Sequence, residues 1–157
     1  MRYDWIIPNV LAAGPLPMTA EELVELHQQG IRAVVTLTEQ PLTSVPAITA
    51  QIVTQLSLTL VHSPIIDYSP PSSDQANAIV DQIHALQAQN KPIYLHCHAG
   101  VGRTGTMLHA YFLRQGMTLP QAVDTVQRRR IASSWYNLSP EQRAFLDQFA
   151  QRIAELR

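Results

Sequence analysis

One cysteine stands in 157 residues. No intramolecular disulfide is available to such a chain, and a reducing, cytoplasmic setting is the expectation. No apolar stretch approaches the roughly 18 residues that a membrane span requires. The opening Met1-Arg2-Tyr3-Asp4-Trp5 lacks the long apolar core of a secretory signal. Charge is sparse and balanced: 15% of residues are charged and the net formal charge is −1. That leaves no electrostatic footprint for nucleic acid or an anionic membrane surface. No repeat, low-complexity tract or linker interrupts the chain. The expectation is one domain over residues 1–157, monomeric, with 46% hydrophobic residues to supply its core.

What is present alternates between strand and helix signals. Trp5 to Ala13 reads as two short extended runs broken at Pro8-Asn9, an edge hairpin. Thr19 and Glu22 make a capping box opening a helix that ends near Gly30. Ile31 to Leu37 is β-branched and bounded, a buried strand. Residues 39–46 read as loop, and Ile48 to Gln55 fits helix and strand equally. Leu58 to Ile66 reads as a strand, stopped by Asp67-Tyr68-Ser69-Pro70-Pro71. Ser72 and Gln75 form a second capping box, followed by Ala76, Ile79, Val80, Ile83 and Leu86 at helical spacing. Pro92 to Cys97 is a strand, and the helix after it stops at Gly116. Thr118 with Gln121 caps a helix running to Arg128-Arg129-Arg130, and Ser139-Pro140 opens the last one. The alternation argues for an α/β fold.

The lone cysteine lies in His96-Cys97-His98-Ala99-Gly100-Val101-Gly102-Arg103-Thr104. A cysteine is a nucleophile only as its thiolate. The residues between Cys97 and Arg103, two of them glycine, suit a tight loop whose backbone N–H groups, from His98 to Arg103, converge on a tetrahedral anion. A strand feeds the loop and a helix leaves it, so a helix N-terminus faces the site and favours thiolate and phosphate alike. Arg103 adds a planar fork for phosphate. A metal centre at His96-Cys97-His98 is disfavoured, because consecutive strand side chains point to opposite faces; no metal and no cofactor is expected.

This stretch resembles, position for position, the His-Cys-x-x-Gly-x-x-Arg-Thr loop of the cysteine-dependent protein tyrosine phosphatase superfamily. Ile65 to Gln75, Trp5-Ile6-Ile7-Pro8, Leu37-Thr38-Glu39 and Gly102 to Leu108 resemble the short atypical dual-specificity phosphatases of the VHZ type. The resemblance runs from about Trp5 to Phe149. It implies a twisted, mainly parallel central sheet flanked by helices. It also implies that Asp67, in a proline-bounded loop ahead of Cys97, is the general acid. Cys97 then attacks phosphorus and forms a cysteinyl-phosphate. Arg103 and the loop N–H groups hold the equatorial oxygens, Asp67 protonates the leaving oxygen, and Thr104 hydrogen-bonds the sulfur.

Several residues keep two readings. Asp74 is a rival acid, yet a carboxylate is expected anyway in a helix's first turn. His96 is expected to orient the loop rather than exchange protons, and His98 faces the site or solvent. In part of the superfamily a glutamine at the position of Gln142 orients the hydrolytic water, but Gln142 also completes a capping box with Ser139. Arg128-Arg129-Arg130 suits a helix C-terminus or a substrate. Trp135 and Tyr136 flank the pocket or pack. Glu39 has no role on chemical grounds. With Arg103 as the one fixed cation and no lysine in the loop, the expected substrate is a phosphorylated protein or peptide, phosphotyrosine before phosphoserine or phosphothreonine. An inositol phosphate or other small-molecule substrate is the alternative, and a phosphopeptide-binding module without turnover the third reading.

Overall fold

In the computed structural model, which describes residues 1–156, five strands form one sheet in the order β1-β2-β5-β3-β4. Strands β1 (Asp4–Ile7) and β2 (Leu11–Gly14) make an antiparallel hairpin around Asn9, whose φ of 61° suits the turn. The hairpin is only half an edge. β1 is the edge strand, whereas β2 continues inward as a parallel partner of β5 (Ile93–His96). β3 (Ala33–Thr36) pairs in parallel with β5 and with β4 (Thr59–His62).

Alternation along the inner strands supplies both faces of the sheet. Ile93 and Leu95 enter one apolar cluster with Val35, Met107 and Leu108; Tyr94 enters the other with Val34, Leu23 and Ile48. Helices α1 (Ala20–Gln28) and α2 (Ala50–Gln55) lie over the second cluster. Helices α3 (Ser73–Ala88), α4 (Gly102–Arg114), α5 (Leu119–Arg129) and α6 (Pro140–Glu155) build the first, with α4 at its centre. This is the α/β architecture expected, one small domain with a mostly parallel sheet and six helices.

The differences from expectation are local. Ile48 to Gln55 resolves in favour of helix, because Thr49 caps the N–H of Ile52. β4 is shorter than Leu58 to Ile66. Pro64 has no N–H to donate, so beyond Ser63 only the Ile65 N–H continues toward β3, bonding Leu37. Two capping boxes are half-made. Ser72 caps α3, but the Gln75 amide turns to the Pro64 carbonyl at 2.8 Å. Thr19 caps α1, while Glu22 accepts from the Met18 N–H at 3.4 Å. The boxes at Thr118/Gln121 and Ser139/Gln142 are complete.

Ligands of open parallel sheets bind beyond the carboxyl ends of the strands. At that edge lie the loop after β5, the segment after β3 and the segment after β4, and they bring Cys97, Glu39 and Asp67 to one place.

Candidate active site

The loop between β5 and α4 is held from outside. The Leu16 N–H donates to the His98 carbonyl at 2.9 Å. The Gly100 carbonyl accepts from Ser133 Oγ at 2.8 Å and from Arg130 Nη2 and Nε at 3.2 and 3.3 Å. A trans peptide sets its C=O and the following N–H on opposite sides. Carbonyls drawn outward at His98 and Gly100 therefore turn the N–H groups of Ala99 and Val101 inward, making the nest. Gly100 has φ of 73°, and a Cβ there would stand 2.5 Å from the Gly14 carbonyl, so no other residue fits. Arg130 is buried, and its Nη1 reaches Asp4 Oδ2 at 2.9 Å. The clasp thus ties the loop to β1.

Inside the loop, Cys97 is 3% exposed and its Sγ accepts a hydrogen bond from Thr104 Oγ1 at 3.1 Å. His96 behind it is fully buried. Its Nδ1 lies 2.7 Å from the Cys97 carbonyl, which only accepts, so Nδ1 carries the hydrogen. Nε2 then accepts from Thr36 Oγ1 at 2.8 Å. Burial pushes the His96 pKa down to about 4. A neutral ring with one fixed tautomer pins the strand end and carries no proton to the cleft.

Arg103 is 3% exposed. Its Nη1 donates to Glu39 and to the Ile65 carbonyl, the latter at 3.0 Å, and Nη2 lies 3.5 Å from Asp67 Oδ1. The Nε is buried with no protein partner. The guanidinium is thereby gripped on one edge, with Nε left for an anion. Glu39 gains the role that its sequence context withheld. A hydrogen bond with its own backbone, then the one from Arg103, holds its carboxyl below the usual range.

Asp67 sits on a different kind of support. Its Oδ1 accepts from the Tyr68 N–H at 2.9 Å, Tyr68 has φ of 63°, and the Tyr68 carbonyl accepts from Ser139 Oγ at 2.8 Å. Its side chain is 52% exposed. A cleft of about 470 Å³ joins Asp67, Tyr68, Cys97, Arg103, Asn137 and Gln142. Asp74, in the first turn of α3, is not among its walls.

Gln142 completes the capping box and also lines the cleft. Its Oε1 accepts from the Ser139 N–H at 2.9 Å, which closes the capping box and fixes the amide orientation. Its Nε2 is buried without a partner on the cleft wall, against Gly102, where a Cβ would come within 2.9 Å.

A loop with a buried thiol, inward N–H groups and an unpaired guanidinium nitrogen, facing a carboxylate, is built for a phosphate monoester. The Tc-R-P family, polymorphic toxin system DSP-PTPase phosphatases, matches residues 13–117. The chain belongs to the DSP-PTPase phosphatases. It is 26% identical to the human phosphatidylglycerophosphatase and protein-tyrosine phosphatase 1 over 96% of this chain and 75% of that protein. It is 29% identical to the Arabidopsis thaliana phosphatidylglycerophosphate phosphatase PTPMT2 over 92% of this chain, spanning 61% of the plant protein's length. The crystal structure of Tk-PTP in the active form superimposes with a TM-score of 0.82 at 26% identity, over 96% of this chain and 97% of that one.

In this phosphatase the three arginines at the end of α5, the last of them just past the helix, part company. Arg128 pairs with Asp124 in the open, Arg129 reaches the Ile6 carbonyl at 3.1 Å, and Arg130 turns inward to the loop. Trp135 packs edge-on against His109 with ring centroids 5.9 Å apart, whereas Tyr136 is exposed beside the cleft residue Asn137. His98 lies exposed on the cleft wall. The Asp4–Arg130–Gly100 clasp and the Glu39–Arg103 pair escaped sequence reasoning. The signals were an arginine run whose members looked alike and, for Glu39, a family resemblance without a chemical role.

Proposed function

We propose that this phosphatase hydrolyses the phosphate monoester of a small glycerolipid headgroup through a cysteinyl-phosphate. The Cys97 thiolate attacks phosphorus in line, forming the S–P bond as the P–O bond to the headgroup breaks. The loop N–H groups and the Nε edge of Arg103 hold the equatorial oxygens. Protonated Asp67 gives its proton to the leaving oxygen, then takes one from the water that attacks the cysteinyl-phosphate. Gln142 Nε2 orients that water, and the Thr104 hydroxyl stabilises the thiolate as it leaves.

The observation that carries the substrate class is the bracketing of Arg103 by Glu39 and Asp67. One phosphomonoester dianion finds an open guanidinium edge; a second dianion beside it meets two carboxylates. A headgroup with a single terminal phosphomonoester fits this balance, and the human and plant relatives are named for a substrate of that kind, whose other phosphate is a singly charged diester. Phosphotyrosine in a peptide is the second reading, supported by Tyr68, 75% exposed at the mouth, where a phenyl ring can stack. The test compares kcat/KM for a short-chain phosphatidylglycerophosphate, a phosphotyrosine peptide and an inositol polyphosphate at matched pH and ionic strength. The lipid is expected to lead; a lead for the peptide overturns the substrate class and leaves the cysteine chemistry standing.

A further inference from the structure

Ala99, exposed on the phosphate loop, is the lip between two cavities. One is the cleft at Cys97. The other, of about 600 Å³, is built from the start of β1 and the segment after α5, and shares no wall with Glu39, Asp67 or Arg103. Its polar walls are Arg2, Tyr3, Asp4 and Arg130. The Met1 amine at its edge lies 3.5 Å from Glu25 and is already paired. Arg2 and Arg130 against Asp4 leave the described walls with one formal positive charge.

The two cations are held differently. Arg130 is 7% exposed, and its bonds to Gly100 and Ser133 order it before any ligand arrives. Its Nη1 and Nη2 each spend one N–H, on Asp4 and on Gly100, and each carries a second. Arg2 is exposed and can turn toward a ligand beside it. From the phosphate loop a substrate therefore meets unlike surroundings in two directions. Over Arg103 stand the carboxylates Glu39 and Asp67; over the small side chain of Ala99 stand two guanidinium groups and one carboxylate. A single negative charge balances the second of these, with charge-assisted bonds to replace its lost water. We infer that this cavity is the subsite for a phosphodiester, the singly charged second anion of a substrate whose phosphomonoester lies in the Cys97 loop. That the diester belongs to a lipid rests on the substrate reading above; the preference of the cavity for a single negative charge does not.

Two phosphonates that cannot be hydrolysed isolate the subsite as competitive inhibitors of aryl phosphate turnover. One is propylphosphonate. The other is propane-1,3-diphosphonate methylated on one end, so that a dianion and a singly charged ester are joined by a three-carbon chain. In the native enzyme the second compound is expected to inhibit about tenfold more tightly, the scale of a charge-assisted bond. Arg2→Glu should bring the two inhibition constants within about twofold of each other, by replacing attraction with repulsion. Arg2→Ala should remove part of the gain and Arg2→Lys keep most of it, with aryl phosphate turnover and Tm unchanged throughout. Arg128→Glu, the same charge reversal on an exposed arginine outside the cavity, should keep the whole gain. Equal inhibition by the two compounds in the native enzyme overturns the subsite. So does a gain that survives Arg2→Glu, or one that Arg128→Glu removes as well. A gain without turnover of the short-chain phosphatidylglycerophosphate supports the subsite and sinks the lipid reading; turnover of that lipid with no gain does the reverse.

Discussion

The phosphate loop and the acid loop meet across one cleft but are built on opposite terms. Around Cys97 the loop's backbone is fastened at several points: His98 by Leu16, Gly100 by Arg130 and Ser133, the Cys97 carbonyl by His96. Around Asp67 the chain is exposed, with Ile66 and Tyr68 at 69% and 75%, and side chains tie it at the Tyr68 carbonyl, through Ser139, and at Asp67 and the Ile65 carbonyl, through Arg103. A cradle that stabilises developing charge works only if its dipoles are already oriented. A proton donor, the role proposed for Asp67, tolerates a looser mount. The fastened side is the one proposed to meet the phosphate, and the exposed side the one proposed to carry the proton.

The sharpest break of that contrast is Cys97→Ser. Turnover should fall to background while phosphate still binds, because the cradle survives and the nucleophile does not; isothermal titration beside a turnover assay shows the split. Next is Asp67→Asn, which should lower kcat by about 10²–10⁴ for alkyl phosphates and far less for a nitrophenyl phosphate, whose leaving group needs no proton. Equal losses with both would move the acid elsewhere and end the contrast.

Arg130→Ala attacks the rigid side from a distance. Losing the bonds to Gly100 should raise KM more than it lowers kcat, by about tenfold, and cost about 1.5–3 kcal/mol of stability from the lost charge-assisted bonds, Ser133 still holding the Gly100 carbonyl. Asp4→Asn, which keeps the shape and weakens the clasp, should give a smaller effect in the same direction. An unchanged KM in both variants would show that the loop is fixed without them.

Gln142→Ala should slow only the second step, about tenfold or less, so that a burst of alcohol release appears ahead of the steady state. Its stability cost is a lost cap, about 1 kcal/mol. The smallest effect is on the pH dependence of stability. His96 and His109 are both held near a pKa of about 4 by burial, against 6.5 for the free side chain. Between those values the unfolded chain binds more protons, so stability should fall as pH drops from about 6.5 to 4 and level off below. His109→Gln should shallow that fall in Tm; an unaltered slope would mean that His109 is charged in the folded protein.

The same contrast explains what could be read from the sequence. The phosphate loop announced itself because nucleophile, glycines and arginine lie within one stretch, and the complete caps at Thr118 and Ser139 are equally local. Asp67 needed a family resemblance, since an aspartate before Tyr-Ser-Pro-Pro is an ordinary turn former. Arg130 was hidden because its partners, Gly100 and Asp4, are 30 and 126 residues away in the chain. Gln75 and Glu22 looked like cap closers until tertiary partners, or the preceding residue, took their side chains. Local patterns show what a loop can do; who holds it still is settled by elements that only the fold brings together.

The central claim, a covalent route through the fastened loop, is tested most directly by trapping. Native enzyme mixed with substrate in the presence of a chelator, quenched in acid within milliseconds and digested, should yield a phosphate adduct on the peptide carrying Cys97, more abundant in Gln142→Ala and absent in Cys97→Ser. Turnover that persists in Cys97→Ser, with no adduct in either enzyme, would contradict the account.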